Sequence, residues 1–285
     1  MILFRVMVVI IPILGHPVCT EMRVCKWPSC SMSGCSCDRE PLSNWNGTCG
    51  LTMKFDQFVF TWSGGLGSKG ACNLGAELGR LRRLQSLVLA LDETNVDAVG
   101  AMCLAKGIRQ LTGLHRLELH VDYNPLGASG SNHIGEALGQ LPKLANLTLS
   151  MVGPVDDEVP KLGAEGARNL FAGLRKSTSL RILNMELGNN GIGDQGAMEL
   201  GTLLSSLTSL SSLTVDLFDN EIGTLGLQGL GAGLQSLLNL SSVELTFTEK
   251  PHQIVAAGIL ALGSGLQALA NLSHLRLRFD QLNLA

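Results

Sequence analysis

A leucine-rich pattern recurs about every 30 residues from position 55 to the end of this 285-residue chain. Each copy begins with L-x-x-L-x-L-x-L, or a close variant, and continues through a short turn into an apolar stretch. The first leucine of the pattern stands at Leu84, Leu114, Leu144, Leu180, Leu210, Leu240 and Leu272, and an aromatic copy starts at Phe55. Self-similarity at this period is typical of a solenoid, in which each copy is one structural unit that stacks on the next.

The two halves of a copy have different periodicities. The leucine motif alternates apolar and variable residues, which predicts a strand with one buried face. The second half, for example residues 196–207, has apolar residues three and four positions apart, which predicts a helix with one buried stripe. Neither half buries its apolar side alone. The sequence therefore predicts an α/β solenoid with parallel strands on one side, helices on the other, and a shared leucine core.

Eight such strands are expected, and each but the last should be followed by a helix. They should lie near residues 55–62, 84–91, 114–121, 144–151, 180–187, 210–217, 240–247 and 272–279. One spacing is longer than the others, because an insertion around residues 153–158 precedes the copy that starts at Leu180.

The repeat resembles the leucine-rich repeat family, and within it the ribonuclease-inhibitor-like class. The signature is present here as Leu-x-x-Leu-x-Leu…Asn-x-Ile-Gly-x-x-Gly-Ala-x-x-Leu, and the resemblance covers residues 55–285. It implies a horseshoe with the strands on its concave side and the helices on its convex side. It also implies a non-enzymatic scaffold that binds proteins through the concave face. Some relatives regulate GTPases as activators or sense ligands, and these are the alternative functions for this chain.

The signature asparagine is only partly kept. It is present in three copies and replaced in three others, which sets Asn124, Asn190 and Asn220 against Thr94, Pro160 and His252. In the family this asparagine forms a ladder that satisfies buried backbone groups, so the resemblance implies an incomplete ladder in this chain.

The variable positions of the strands should face outward, onto the concave side. The candidate binding residues there are Glu118, His120, Asp122, Asn184, Glu186, Asp216, Glu244, Arg276 and Arg278. The middle of this set is acidic, with Asp219 at its rim, and the last strand is basic. We interpret it as a docking site for a protein that carries a basic patch. The alternative interpretation is that exposed strand positions must be polar and that these happen to be acids.

Other functional classes find less support in the sequence. Glu118, His120 and Asp122 alternate along one strand and would share a face, so a metal or acid–base cluster is conceivable. An open sheet supplies no enclosing pocket, however, and the chain has no phosphate-binding loop, so we expect no catalysis, no cofactor and no metal. The net charge of −3 provides no basic field for nucleic acid.

The N-terminal segment differs from the repeats. Residues 1–19 contain an apolar run from Val6 to Leu14, which is too short for a stable membrane span and is typical of a signal-peptide core. A non-native leader or a buried apolar strand is the alternative. We assign residues 20–54 to a cysteine-rich N-terminal segment or cap and residues 55–285 to the repeat domain. These features favour the secretory pathway, although ribonuclease-inhibitor-like repeats are usually intracellular, so the alternative is a cytoplasmic protein.

Six of the eight cysteines lie close together before the repeats, at Cys19, Cys25, Cys30, Cys35, Cys37 and Cys49. Such density in a polar stretch indicates a disulfide framework or, less readily, a zinc site. From Cys30 onward the spacing loosely resembles the N-terminal caps of extracellular leucine-rich-repeat proteins. Asn46 begins a glycosylation sequon in this segment, which agrees with secretion. Cys72 and Cys103 fall on predicted helices, where we expect ordinary buried thiols.

The last predicted strand has no helix after it. Its apolar positions, Leu275, Leu277 and Phe279, should therefore be poorly covered. We expect this edge to meet another chain, for example a second copy, or to continue in a longer protein. Arg276 and Arg278 place charge on the strand, which discourages open-ended pairing.

Overall fold

The computed structural model describes residues 35–37, 49–53, 56–248 and 256–280. In this part of the chain ten strands form one sheet in chain order. The strands are β1 (Cys35–Cys37), β2 (Cys49–Met53), β3 (Gln57–Trp62), β4 (Ser86–Ala90), β5 (Arg116–His120), β6 (Asn146–Ser150), β7 (Ile182–Glu186), β8 (Ser212–Asp216), β9 (Ser242–Thr248) and β10 (His274–Asp280). The seven helices among these residues are α1 (Gly67–Leu78), α2 (Ala98–Ile108), α3 (Gly127–Leu138), α4 (Gly163–Leu174), α5 (Gly193–Ser206), α6 (Thr224–Leu234) and α7 (Ala256–Gln267).

The eight strands from β3 to β10 are parallel, and a helix lies between each consecutive pair. Equivalent leucines of the repeat are register partners: Leu183 of β7 lies opposite Leu213 of β8. The predicted alternation of parallel strands and helices is therefore confirmed.

The regular strands are shorter than the leucine motif. The strand predicted at 84–91, for example, begins at Ser86 and ends at Ala90. The amide of Leu84 instead donates to the carbonyl of Leu81 at 2.9 Å, which closes a turn between the helix and the strand. In the six motifs that start between Leu84 and Leu240 the first leucine is thus a buried turn residue, and the predicted strand starts were about two residues too early.

The core is continuous from the first repeat to the last. Strand leucines such as Leu213 and helix leucines such as Leu200 belong to one buried cluster, and both are 0 % exposed. Side chains between the strand leucines point the opposite way and are less buried, as in β8. The helices therefore cover one face of the sheet, and the other face is open.

Asparagines connect neighbouring repeats at the strand-to-helix turns. Asn220 is fully buried; its Oδ1 accepts from the amides of Asn190 and Ile192, and its Nδ2 donates to the carbonyl of Leu187. Asn124 makes the same kind of bonds to the repeat before it, and Thr94, which replaces the asparagine, donates to the carbonyl of Leu91 in its own turn. The ladder is thus built where the asparagine is kept. Thr94 is held to the next repeat instead, because its amide donates to Oδ1 of Asn124 at 3.2 Å. His252 lies outside the described residues.

A second polar ladder, which was not predicted from the sequence, runs across the sheet at the N-terminal ends of the strands. In each case a side chain before a strand donates to a carbonyl of the preceding repeat. The pairs are Ser179 with Leu144, Ser211 with Arg181, Asn239 with Thr208, Ser241 with Ser211, Asn271 with Leu238 and Ser273 with Ser241. The repeated Asn-Leu-Ser triplets at 239–241 and 271–273 thus have a structural use.

Helices α1 and α2 touch backbone to backbone. A Cβ atom built on Gly107 would lie 2.0 Å from the carbonyl oxygen of Gly75, so only glycine fits there. In this close contact Cys72 and Cys103 form a disulfide bond. Both residues are half-buried, and the expectation of ordinary buried thiols was wrong. Their separation of 31 residues, near the repeat period, places them at facing positions of adjacent helices.

The N-terminal segment adds two antiparallel strands to the sheet. β2 pairs with β3, so that Leu51 lies opposite Phe60, and β1 pairs with β2 with Cys37 opposite Cys49. The segment therefore continues the sheet beyond the first repeat, on the side where a cap was expected. Residues 1–34, which include Cys19, Cys25 and Cys30, and the candidate glycosylation site Asn46 lie outside the described residues.

Candidate binding surface

The open face of the sheet carries two rows of side chains that cross the strands. One row contains Glu118, Thr148, Asn184, Thr214, Glu244 and Arg276 as successive register partners. The other contains His120, Ser150, Glu186, Asp216, Thr246 and Arg278. Eight of the nine predicted binding residues therefore belong to two aligned rows, and Asp122 lies two residues beyond His120 at the end of β5.

Ser150 connects two acidic side chains from different repeats. Its hydroxyl oxygen lies 2.7 Å from Oδ1 of Asp122 and 3.1 Å from Oε2 of Glu186. Ser150 is 0 % exposed, although its strand position predicted an exposed side chain. A hydroxyl has one proton and can donate to only one of these carboxylates at a time. The second carboxylate is left with an oxygen that can accept a proton or a cationic donor.

Asp122 is held in an environment that disfavours its charge. Burial raises the pKa of Asp122 above its usual range, and the nearby charges of Asp92 and Glu186 raise it further. Hydrogen bonds from the Ser150 hydroxyl and the Val152 amide act in the opposite direction without cancelling the rise. The amide of Asp122 also donates to Oδ1 of Asp92 at 2.9 Å, which brings a further carboxylate to this cluster.

Asp216 continues the acidic surface on the next strands. It is the direct register partner of Glu186, so two like charges lie opposite each other on neighbouring strands. Burial raises the pKa of Asp216, and the charges of Glu186 and Glu244 add to the rise. The charge of Arg278 opposes this effect from two strands away. We name Asp92, Asp122, Glu186, Asp216 and Glu244 the acidic band.

The remaining predicted residues border this band. Glu118 pairs with Arg116 on its own strand, so its charge is neutralised locally. At the other end, Arg276 Nη1 lies 3.2 Å from Oε1 of Glu244. Beside the band, Asn184 and Thr148 form a neutral pair in which Asn184 Nδ2 lies 3.4 Å from the Thr148 hydroxyl. The strongest uncompensated negative charge therefore lies between Asp122 and Asp216.

The raised pKa values predict how stability depends on pH. The native state holds protons on Asp122 and Asp216 at pH values where the unfolded chain has released them. The free energy of unfolding should therefore fall as pH rises from the ordinary aspartate pKa through the raised native values. In Asp122→Asn this fall should be smaller, because asparagine can still accept the Val152 amide without a charge. Denaturation across acidic pH measures the slope, with Glu136→Gln on α3 as the control for loss of an acid, and a free energy that rises through this window would contradict the assignment.

Glu118, His120 and Asp122 do not form a metal centre. Across the described ranges, no group of three or more histidine, cysteine, aspartate or glutamate side chains is arranged to hold a metal ion. Asp122 instead directs its carboxylate to Ser150 and Val152, toward the next repeat.

A shallow groove lies beside the N-terminal ends of β7, β8 and β9. It is lined by Ser179, Arg181, Ser209, Ser211 and Asn239. The hydroxyls of Ser179 and Ser211 and the amide of Asn239 already donate to carbonyls of preceding repeats. The groove therefore offers a ligand fewer free hydrogen-bond donors than its composition suggests.

Comparison of the sequence with protein-family models and with curated proteins finds no match. Among the helices of the described residues, none combines the length and the apolar character needed to cross a bilayer.

Proposed function

We propose that this chain is a non-enzymatic scaffold that binds a protein through the open face of its sheet, and that the bound partner presents a basic patch to the acidic band. The observation that carries the proposal is the alignment of carboxylates across neighbouring strands, two of which are partly buried with raised pKa values. A surface of this kind is extended and rigid, which suits a macromolecule better than a small substrate.

A cationic partner would reduce the electrostatic repulsion and the desolvation penalty of the carboxylates in the acidic band. Its lysine or arginine side chains would supply an opposite charge beside Asp122 and would add to the charge of Arg278 at Asp216, and the pKa of each carboxylate would then fall. Arginine suits the oxygens around Ser150 because its planar guanidinium group can donate hydrogen bonds to the carboxylates of Asp122 and Glu186 at once. Binding should release protons, so the affinity should rise as pH rises through the raised pKa values.

The repeat signature and the order of elements support a leucine-rich repeat protein of the ribonuclease-inhibitor-like class, in which this open face would be the concave side of a horseshoe. The disulfide between Cys72 and Cys103 is compatible with an oxidising compartment. Together with the cysteine-rich N-terminal segment, it supports placement in the secretory pathway.

Charge reversal on the acidic band tests the proposal. The probe is a labelled synthetic peptide of alternating arginine and glycine, titrated at low and physiological salt. The double variant Glu186→Lys with Asp216→Lys should weaken binding by at least tenfold, about 1.4 kcal/mol. The effect should shrink at high salt, because exposed charges are screened.

The matched control is Glu136→Lys with Glu165→Lys on the exposed surfaces of α3 and α4. Both double variants change the net charge by the same amount, so a long-range effect of total charge would weaken binding equally in the two. Equal losses would contradict a localised site, whereas a loss confined to the strand variant supports it.

A further inference from the structure

Charged side chains are segregated between the two ends of the strands. The four turns that lead from a helix into β4, β5, β6 and β7 are residues 79–85, 109–115, 139–145 and 175–181. Together they contain no aspartate or glutamate. Their basic residues, which we name the basic edge, are Arg80, Arg82, Arg83, Arg109, Lys143, Arg175, Lys176 and Arg181. The four turns that follow the same strands contain seven acidic residues and one lysine, so the net charge of −3 conceals a basic surface.

Most of the basic edge is accessible and lacks an internal partner. Arg80 Nη1 lies 3.2 Å from Oε2 of Glu77, and Arg175 Nη2 lies 2.5 Å from Oε2 of Glu199. The other six members are exposed residues and form no ion pair within the described ranges. Their like charges therefore repel one another without an acid to compensate them, and an anionic ligand would remove that repulsion.

Helix dipoles do not account for the whole set. A positive charge next to a helix C-terminus is favourable, which explains the members that directly follow α1, α2 and α4. The other members lie four to seven residues past a helix end, next to the strands, and are Arg82, Arg83, Lys143 and Arg181. The turns after α5 and α6, residues 207–211 and 235–241, follow helices of the same kind and contain no basic residue. The repeat architecture itself therefore does not require this charge.

The basic edge is a row that crosses four repeats. Neighbouring strands are about 4.8 Å apart and packed helices about 10 Å apart, so the four turns extend about 14 Å along the strand side and about 30 Å along the helix side. Six of the eight members are arginines, whose planar guanidinium group binds oxyanions through paired hydrogen bonds. A row of this kind suits a linear ligand that carries anionic groups at intervals.

The other side chains of these turns narrow the class of ligand. The turns contain no phenylalanine, tyrosine or tryptophan, on which proteins stack the bases of single-stranded nucleic acids. They also present no helix or strand that could enter the groove of a duplex. An anionic bilayer would require exposed apolar side chains beside the basic ones, whereas the leucines of these turns are buried. A sulfated polysaccharide needs none of these features, because its sulfates are bound through charge and hydrogen bonds.

The shallow groove beside β7, β8 and β9 lies at one end of this row. Arg181 and Ser209 line the groove, and neither side chain makes a hydrogen bond or an ion pair within the described ranges. The side-chain amide of Asn239 uses one hydrogen for the carbonyl of Thr208 and keeps a second. No acidic residue lines the groove. A sulfate in the groove would therefore meet a guanidinium group, a hydroxyl and an amide as donors, without a competing carboxylate.

We propose that the basic edge binds a sulfated polysaccharide, whose chain crosses the four turns from Arg83 to Arg181 and places one sulfate in the groove. The strongest charge of the acidic band lies at the other end of the strands, about 16 Å away for a strand of five residues. Both surfaces can therefore be occupied at once, and the scaffold would hold a basic protein beside a sulfated glycan. The biological setting of this site rests on the secretory placement proposed above, because sulfated polysaccharides are made and displayed along that pathway.

Binding of a heparin octasaccharide to the full 285-residue chain tests the site. Titration calorimetry at physiological salt should show saturable binding that weakens as salt rises. The double variant Arg83→Glu with Arg181→Glu should weaken this binding at least tenfold. If that variant fails to fold, Arg83→Gln with Arg181→Gln removes the same two positive charges and decides in its place.

The matched control is Lys69→Glu with Arg168→Glu on the exposed surfaces of α1 and α4. Both charge-reversal variants change the net charge by the same amount, so a loss confined to the edge variant supports a localised site. An unmodified chain that does not bind the octasaccharide, or equal losses in the two variants, would overturn the proposal.

Competing ligands identify the class of polyanion. Fully desulfated heparin should bind at least tenfold more weakly than the octasaccharide. Tighter binding of an oligouridylate of equal charge, of polyglutamate or of phosphatidylserine vesicles would overturn the assignment to a sulfated polysaccharide. Glu186→Lys with Asp216→Lys should lose no affinity for the octasaccharide, and the edge variant should lose none for the arginine–glycine peptide. Failure of this site and failure of the acidic band are therefore distinguishable.

Discussion

Replacing Leu213 by aspartate should abolish stable folding at 37 °C. Leu213 is 0 % exposed and lies in the core between Leu183 of β7 and Val243 of β9. The substitution removes apolar burial worth about 2 kcal/mol or more and leaves a carboxylate without a partner in the core. A total loss above about 4 kcal/mol is expected, which is a large part of the stability of an ordinary domain. Thermal denaturation followed by circular dichroism measures it.

The control is Ser212→Asp, one residue earlier on the same strand. Ser212 faces the open side and has Ile182 and Ser242 as register partners, so the new charge meets water and no acid directly opposite. Its cost should stay within about 1 kcal/mol. Glu186→Ala should cost less still, about 0.5 kcal/mol at most, because that side chain is exposed. Similar losses for Leu213→Asp and Ser212→Asp would mean that the two faces of β8 are assigned the wrong way round.

The faces of the strands could be predicted because side chains alternate strictly along a strand. Once Leu183 and Leu213 were recognised as equivalent, the outward position of Glu186 and its alignment with Asp216 followed from counting. The same counting failed for the degree of burial. Ser150 occupies an outward position, yet it is covered by Asp122 and Glu186 of the neighbouring repeats. Contacts between repeats depend on side-chain length and rotamer, which periodicity does not contain.

The disulfide and the N-terminal strands were missed for related reasons. Cys72 and Cys103 are separated by nearly one repeat period, so their proximity on neighbouring helices was available from the sequence. The glycine contact between α1 and α2, which brings the two backbones close enough for the disulfide, could not be predicted from the sequence. β1 and β2 lie outside the repeat, so no second copy exists to reveal their register. The sequence does predict the ladder asparagines, because each one recurs at a fixed position of the repeat.

Asn220→Ala should be among the most damaging substitutions of polar residues in the described repeats. The side chain is 0 % exposed, and its Oδ1 accepts from the amides of Asn190 at 3.0 Å and Ile192 at 3.2 Å. Its Nδ2 donates to the carbonyl of Leu187 at 2.8 Å. Alanine leaves the buried amides of Asn190 and Ile192 without this acceptor, whereas the Leu187 carbonyl keeps the bond from Nδ2 of Asn190 at 3.0 Å. Each amide that water does not reach costs about 1–3 kcal/mol. We expect a loss of about 3–5 kcal/mol, measured by chemical denaturation.

Asn239→Ala is the matched control for this loss. Asn239 is also an asparagine that bonds to the preceding repeat, through Nδ2 and the carbonyl of Thr208 at 3.0 Å, but it is exposed. Water can replace that bond, so its removal should cost less than about 1 kcal/mol. Hydrogen exchange adds a local test: Asn220→Ala should accelerate exchange at the amides of Asn190 and Ile192 before the rest of the sheet, because the ladder is what protects them. If the two variants lose the same stability, the buried ladder does not hold neighbouring repeats together.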